Sequence, residues 1–325
     1  MVQYQTPARS LTPALDIAPW RDGSDKSGVA RQFDRICREI GFFYLVGHGI
    51  DTSEMRAILS QAQRFFALPD EAKTALAVNA SGRGYEPLAA QALDLESPPD
   101  LKESWLGGAE FAPTHPCVIS GLPNYGANRW PDEALLPGFR DACNTYREKV
   151  NALSQTLMEI FAVAADLPED HFAPLFHEPM ATLRLLHYPP QPGRVIANQI
   201  GCGAHTDWGT FTILLQDETG GLEVENASGE WLLADPVEGA FVVNLGDMMP
   251  VWTNGAYHSN LHRVRNRSPE RHRYSVPFFQ DLNYYSRIEC LPAFRTPGST
   301  PRFAPRTAGE HFELMYRKTR EAALT

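Results

Sequence analysis

The chain of 325 residues combines 43% hydrophobic with 21% charged residues, a composition typical of a globular protein with a large buried core. Its formal net charge of −10 argues against a duplex nucleic-acid substrate, and no apolar run has the length of a membrane span. The five cysteines lack CxxC spacing and the N-terminus shows no signal-peptide pattern, so we expect reduced thiols in a cytoplasmic protein.

The first half of the chain carries mainly helical patterns. Residues 27–40 place apolar side chains on one helical face, and Gly41 is suited to end that helix. Asp51 and Glu54 have the spacing of a capping box, which predicts the start of a second helix. A third, longer helix is predicted over about 139–166, where apolar residues recur at spacings of three and four and form a core face.

Short strand patterns dominate the second half, although Phe42–Val46 already has the composition of a buried strand. Residues 78–130 are rich in Gly, Pro, Ser and Asn, and we expect mostly loops there. Beyond about residue 180 the strand candidates are Leu183–Tyr188, Phe211–Leu215, Gly221–Glu225, Trp231–Leu233, Ala240–Asn244 and Tyr274–Phe279. Asn226–Gly229 predicts a hairpin turn between two of them. Many short strands of this kind indicate a jelly-roll barrel.

The most informative segment places His205 and Asp207 two positions apart, directly before an apolar strand pattern. Side chains at positions i and i+2 of a strand point to the same side, so both can reach one metal ion. His262 follows Asp207 by 55 positions (262 − 207), and Arg273 follows His262 by 11 (273 − 262). Two imidazoles and one carboxylate on one face of an ion suit non-haem Fe(II), since they leave other positions open for O2.

The order His-x-Asp, a distant His-Arg-Val and then Arg-x-Ser resembles the isopenicillin N synthase-like family of Fe(II)/2-oxoglutarate-dependent oxygenases. The resemblance covers about residues 10–290, because further motifs similar to those of the family follow in order: Gly41–Ile50, Phe65–Pro69, Gly82–Tyr85, Asp100–Glu103 and His187–Pro190. It implies a mixed α and β protein with a double-stranded β-helix (jelly-roll) core, an N-terminal helical layer and a long supporting helix.

We expect one structural unit with three regions. Residues 1–175 form the helical and loop region that packs on the barrel, 176–295 form the oxygenase core, and 296–325 form a C-terminal segment. The resemblance makes His205, Asp207 and His262 the metal ligands and catalytic residues. His262 is preferred to His258 because Arg263 and Val264 follow it, as in the family motif.

The co-substrate 2-oxoglutarate needs a partner for its distal carboxylate. Arg273 offers a planar fork of donors, and Ser275 offers a hydroxyl on the same strand face. Tyr188 matches the tyrosine of the family's Tyr-Pro motif and either donates a hydrogen bond to the co-substrate or packs as a core tyrosine.

Substrate contacts are sought at Phe279, six residues after Arg273, and at Trp208, next to the ligand pair. Either aromatic residue contacts substrate or belongs to the ordinary core. Leu186 stands where plant relatives often carry asparagine, which argues against transferring a plant activity to this chain.

The resemblance therefore implies an Fe(II)- and 2-oxoglutarate-dependent dioxygenase, an oxidoreductase that uses O2 and releases succinate and CO2. Hydroxylation of an unactivated C–H bond in a small molecule is the expected outcome. One alternative is a same-fold Fe(II) oxidase that closes a ring or desaturates its substrate without 2-oxoglutarate. A further alternative is a non-catalytic small-molecule-binding protein. We expect no nucleic acid, membrane or obligatory protein partner.

Overall fold

The computed structural model of the chain describes residues 9–10, 13–91, 98–191 and 199–321, so each of the three predicted regions extends partly outside the described residues. The helices are α1 (Ala18–Arg21), α2 (Lys26–Glu39), α3 (Thr52–Phe66), α4 (Asp70–Thr74), α5 (Pro116–Ile119), α6 (Phe139–Ala164), α7 (Met248–Trp252) and α8 (Ala308–Glu321). Two short 3-10 turns occupy Ala173–Phe176 and Pro292–Phe294.

The strands follow the predicted order with several additions. They are β1 (Arg9–Ser10), β2 (Ala14–Asp16), β3 (Phe42–Val46), β4 (Gly84–Glu86), β5 (Glu103–Gly108), β6 (Thr182–Tyr188), β7 (Cys202–His205), β8 (Phe211–Gln216), β9 (Leu222–Glu225), β10 (Trp231–Ala234), β11 (Phe241–Leu245), β12 (His262–Val264), β13 (Arg273–Gln280), β14 (Arg287–Ile288) and β15 (Arg306–Thr307).

Within the described residues, two sheets carry the fold. The larger has the order β2-β3-β11-β8-β13-β6-β5-β4, and the smaller has the order β1-β10-β9-β12-β7. Most neighbouring strands run antiparallel, and β9 and β10 form the hairpin predicted around Asn226–Gly229. This mixed architecture confirms the predicted jelly-roll core with helices packed outside it.

Successive side chains along a strand point to opposite faces of the sheet, and this alternation separates two apolar clusters. Ile213, Leu215 and Val276 point to the helical side of the larger sheet, where they join one cluster. Leu214 points the other way and joins a cluster that also contains Val224 of the smaller sheet. This second cluster fills the space between the two sheets, so the face of the larger sheet that contacts it is the inner face of the barrel.

Helix α6 is the predicted supporting helix. It packs against α2 and α3 and lies behind strands β8 and β13. Its stripe of apolar residues, including the fully buried Val150 and Leu157, faces the core as the three- and four-residue spacing indicated. Gly138 precedes the helix with a φ of 74°, a left-handed conformation that glycine adopts without strain.

Two parts of the fold differ from expectation. The region 78–130 contains not only loops but also β5, whose glycine-rich sequence is a weak strand former and is held by its pairing with β6. The C-terminal segment contains helix α8, which the sequence reading did not predict.

A buried ion-pair cluster stabilises the smaller sheet. The carboxylate of Glu223 is fully buried and contacts three guanidinium groups, at 2.7 Å from Arg263, 2.6 Å from Arg265 and 3.1 Å from Arg267. Arg263, itself 4% exposed, also lies 3.8 Å from the centre of the Trp231 ring.

Substituting Glu223→Gln removes the negative charge while keeping the shape of the side chain. We expect the free energy of unfolding to fall by about 3–5 kcal/mol, because a buried guanidinium then loses its compensating carboxylate. Urea unfolding measures the change. Glu218→Gln is the control, since Glu218 pairs with Arg271 at the exposed surface and its loss should matter little. Equal stability of both variants would contradict this account.

Candidate active site

Two adjacent strands of the smaller sheet bring the three predicted ligands together. Strand β7 ends at His205 and strand β12 begins at His262, and the antiparallel register places these two residues opposite each other. The side chain of Asp207 has Oδ1 3.9 Å from Nε2 of His205 and Oδ2 3.7 Å from Nε2 of His262. One ligand atom from each of the three residues lies within 4.8 Å of the others.

One detail of the sequence prediction was wrong. His205 and Asp207 do not share a strand, because β7 ends at His205 and Asp207 lies in the loop that follows. The backbone there leaves the ladder, and the carbonyl of Asp207 accepts a hydrogen bond from the amide of Asp247 at 2.8 Å. The carboxylate still faces the two imidazoles.

Both histidines are oriented by backbone carbonyls. Nδ1 of His205 lies 2.8 Å from the carbonyl oxygen of Gly203, and Nδ1 of His262 lies 3.2 Å from that of Asn260. Each carbonyl can only accept, so each Nδ1 carries the proton and donates it. The two Nε2 atoms therefore keep free lone pairs, which is the tautomer that binds a metal.

The carboxylate of Asp207 is held from the opposite sheet. Thr212 Oγ1 donates to Asp207 Oδ2 at 2.5 Å, and the Asn244 side-chain amide donates to the same oxygen at 2.7 Å. Asp207 Oδ2 accepts both bonds, so the lone pairs of Oδ1 stay free for a metal ion. The support of Asp207 by Thr212 and Asn244 was not predicted from the sequence. Their polar side chains at inner positions of the apolar strands β8 and β11 were the available signal.

The protonation states fit a cation. Burial lowers the pKa of His205. Burial and the neighbouring His205 ring together lower the pKa of His262 to about 4. Burial by itself opposes ionisation of Asp207, but the two imidazoles and the hydrogen bonds from Asn244 and Thr212 outweigh it and lower its pKa. At neutral pH the site offers two neutral imidazoles and one carboxylate, which is the state that a divalent metal requires.

This donor set fits Fe(II) by its chemistry. Two imidazole nitrogens and one carboxylate oxygen form the facial arrangement used by non-haem iron oxygenases, with open positions opposite the protein. The His205 side chain is 20% exposed, while Asp207 and His262 are buried, so the approach to the site lies on the His205 side.

Substituting Thr212→Val tests the support of Asp207. Valine keeps the shape of threonine but removes the hydrogen bond to Oδ2, and we expect Fe(II) affinity to fall by about 10- to 100-fold. Competition with a chromophoric chelator measures it. Thr210→Val is the matched control, because the Thr210 hydroxyl donates to Gln280 rather than to Asp207. Unchanged Fe(II) affinity in Thr212→Val would show that Asp207 needs no such support.

Arg273 lies on the inner face of β13 and is fully buried. Its guanidinium donates to Ser275 Oγ at 3.1 Å, to Gln216 Oε1 at 3.3 Å and to the carbonyl of Gly220. Among the described residues no carboxylate forms an ion pair with it. A buried guanidinium with only neutral partners is suited to bind an anionic group of a ligand.

Ser275 and Tyr188 lie beside this arginine. Ser275 is 1% exposed and occupies the same inner face, two residues along β13. Tyr188 lies opposite Arg273 on β6, and the guanidinium carbon is 4.7 Å from the centre of its ring. The structure thus places all three predicted co-substrate residues together inside the barrel.

The remaining predicted residues are more scattered. Phe279 is half-buried on the inner face of β13, between strands β8 and β6. Trp208 packs against α8, with its ring centre 5.3 Å from that of Phe312, and its carbonyl oxygen accepts from His311 Nε2 at 3.0 Å. His258 is exposed and is not part of the cluster.

Residues 12–133 match the family model described as non-haem dioxygenase in morphine synthesis N-terminal, and residues 179–281 match that of the 2OG-Fe(II) oxygenase superfamily. None of the helices in the described ranges combines the length and apolarity needed to cross a membrane.

Two relatives and one solved structure are similar to the chain over nearly its whole length. The 2-oxoglutarate-Fe(II) type oxidoreductase hxnY of Emericella nidulans is 40% identical over 321 residues, which cover 96% of this chain and 91% of that protein. Homoarginine-6-hydroxylase 2-ODD-233 of Oryza sativa subsp. japonica is 35% identical, with 92% and 94% covered. The crystal structure of a full-length Neurospora crassa protein in complex with alpha-KG has a TM-score of 0.85 and 28% identity, with 97% and 98% covered.

Proposed function

The chain belongs to the 2OG-Fe(II) oxygenase superfamily, and on that basis we propose that His205, Asp207 and His262 are the ligands of its Fe(II). It is a 2-oxoglutarate- and Fe(II)-dependent dioxygenase, an oxidoreductase. The observation that carries the ligand assignment is the convergence of two Nε2 atoms and one carboxylate within 4.8 Å. The carbonyls behind both histidines and the donors behind Asp207 hold these atoms in place.

We further propose that Arg273 and Ser275 bind the distal carboxylate of 2-oxoglutarate, with Tyr188 beside them. The support is a fully buried guanidinium that contacts no carboxylate among the described residues, with the Ser275 hydroxyl 3.1 Å away. A carboxylate there would form charge-assisted hydrogen bonds with two neighbouring donors. The fork would orient the co-substrate, so that its other end faces the metal ligands.

For the reaction we propose hydroxylation of a C–H bond in a small molecule. When bound, iron and 2-oxoglutarate supply the activation of O2, with conversion of 2-oxoglutarate to succinate and CO2. The protein holds the reactants in register and limits the access of water, since the site lies between two sheets. The relative from rice is named a hydroxylase, which supports this type of reaction over desaturation or ring closure, although Leu186 argues against transferring that relative's substrate. Phe279 and Trp208 are proposed to contact the substrate.

The experiment is a spectroscopic titration without oxygen. Adding Fe(II) and then 2-oxoglutarate should produce a visible charge-transfer band, and admitting O2 should release succinate. Incubation with a metabolite extract under labelled O2 should then yield a product that gains one oxygen atom from O2. A protein that binds iron but gives neither the band nor succinate would contradict the proposed site.

We propose the division into residues 1–175, 176–295 and 296–325 as regions of one unit. The two family models, over 12–133 and 179–281, fall within the first and second regions. Strands β2 to β5 of the first region are paired into the larger sheet, so this layer is continuous with the barrel. We also propose a cytoplasmic location, since the five cysteines are unpaired and buried.

A further inference from the structure

A row of paired residues crosses the inner face of the larger sheet from the metal centre to its far side. In order, each paired with the next, they are Asn244, Thr212, Phe279, Thr182 and Gly108. Asn244 and Thr212 hold Asp207 at one end of the row. Thr182, two strands beyond Thr212 and therefore about 10 Å away, contacts a second buried arginine, Arg83.

Arg83 is fully buried but incompletely bonded. It donates to Thr182 Oγ1 at 3.2 Å and to the carbonyl of Asn124 at 2.7 Å, while its buried Nε has no partner. Among the described residues no carboxylate lies within ion-pair distance of it. Burial, together with nearby Arg147, lowers its pKa to about 10. Gly108 makes room for it, because a Cβ there would lie 2.1 Å from the guanidinium.

Asp281 lies directly after Gln280, the last residue of β13. Asp281 is 5% exposed, and the hydrogen bonds found among the described residues do not involve its side chain. It lies beside the loop that carries Asp207, because a Cβ on Gly209 would be 2.6 Å from its Oδ1.

The two side chains are complementary in hydrogen bonding. Arg83 can only donate hydrogen bonds, and an ionised Asp281 can only accept them. They influence each other electrostatically but are too far apart for an ion pair. A buried donor without a partner, such as Arg83 Nε, costs stability and calls for a ligand or a functional role.

We propose that Arg83 and Asp281 together bind the primary substrate and that this substrate presents the edge of a planar cyclic amide, imide or ureide. Its carbonyl oxygen accepts from Arg83 and its N–H donates to Asp281. The inference rests on the proposed function, because it places the substrate on the side of the metal centre away from Arg273.

A flat ring suits the apolar surface that Phe279 offers on this inner face. Phe279 lies in the row between Thr212 and Thr182 and is half-buried, so its ring offers an apolar surface for stacking. The pair Arg83 and Asp281 has no net charge when both are ionised, which favours a ligand that is neutral overall. The charged groups of an amino acid would match those of Arg83 and Asp281, but its tetrahedral α-carbon would not stack on the Phe279 ring.

The test uses the chain with Zn(II) in place of Fe(II) and with 2-oxoglutarate bound. The probes are 2-pyridone, uracil and succinimide, each compared with its N-methylated counterpart by calorimetry. We expect at least one N–H probe to bind about 10-fold or more tighter than its methylated form, because a hydrogen bond to a charged group is lost. If no probe shows this preference, or if L-proline binds better than all of them, the proposal is wrong.

Two variants assign the preference to the pair. Arg83→Met and Asp281→Leu should each weaken binding of the N–H probe about 10- to 100-fold, and Asp281→Leu should not lower the melting temperature. Arg129→Met, at an exposed arginine, is the control and should bind as the wild type does. Probe binding unchanged in both variants, or a lower melting temperature of Asp281→Leu with the N–H preference intact, would overturn the proposal.

The outcome is separable from that of the proposed function. The charge-transfer band of the wild-type chain with Fe(II) and 2-oxoglutarate needs no probe, so it tests the metal and co-substrate assignment alone. Loss of that band in the wild type would refute the metal and co-substrate assignment whatever the probes show. An intact band in a chain that shows no preference for any N–H probe would overturn the substrate assignment alone.

Discussion

Substituting Asp207→Ala is expected to abolish turnover and to weaken Fe(II) binding by more than about 100-fold. Partners that merely orient a ligand contribute about 10- to 100-fold to metal affinity, so loss of the ligand itself must cost more. Without Asp207 the two imidazoles face an uncharged cavity wall formed by Thr212 and Asn244. Anaerobic Fe(II) titration and succinate release measure the two effects.

His258→Ala is the matched control, since His258 is the competing histidine of the same segment and its side chain is exposed. It should leave both Fe(II) affinity and turnover unchanged. Wild-type Fe(II) binding in Asp207→Ala, or loss of binding in His258→Ala, would show that the ligand set is assigned to the wrong residues.

Substituting Arg273→Ala is expected to raise the KM for 2-oxoglutarate by roughly 30-fold or more while leaving Fe(II) affinity nearly unchanged. The reason is that truncating one member of a buried, hydrogen-bonded charge pair costs about 2–5 kcal/mol. Titration of 2-oxoglutarate, followed by the charge-transfer band and by succinate release, gives both quantities. The KM of Arg273→Lys for 2-oxoglutarate should lie between those of the wild type and of Arg273→Ala, because lysine keeps the charge but not the planar fork.

Arg271→Ala controls for loss of a positive charge near the same strand, since Arg271 is exposed and pairs with Glu218. Its KM for 2-oxoglutarate should equal that of the wild type. If Arg273→Ala kept a wild-type KM and an intact band, Arg273 would not bind the distal carboxylate.

The parts predicted best from sequence are those with strong local patterns. The predicted helix 139–166 is α6 (Phe139–Ala164), and the strand Phe42–Val46 has the same bounds in the structure. Spacing along the chain also identified His205, Asp207 and His262, which the fold then brings together. Their roles, and those of Arg273, Ser275 and Tyr188, are proposals, and the variants above test those of Asp207 and Arg273.

The parts that could not be predicted depend on contacts between distant segments. Thr212 and Asn244 are ordinary polar residues in their strands, and only the pairing of β8 with β11 places both against Asp207. Arg83 and Asp281 are separated by almost 200 positions and meet the same row of residues through tertiary structure alone. Helix α8 packs on Trp208, and this contact cannot be predicted from the sequence of the helix itself.

The most direct measurement is a crystal structure of the chain prepared without oxygen and with Fe(II) and 2-oxoglutarate, with the iron located by its anomalous scattering. We expect iron bonded to Nε2 of His205, Oδ1 of Asp207 and Nε2 of His262. The distal carboxylate of 2-oxoglutarate should contact Arg273 and Ser275. Iron bound elsewhere, or a co-substrate carboxylate that does not contact Arg273, would contradict these assignments.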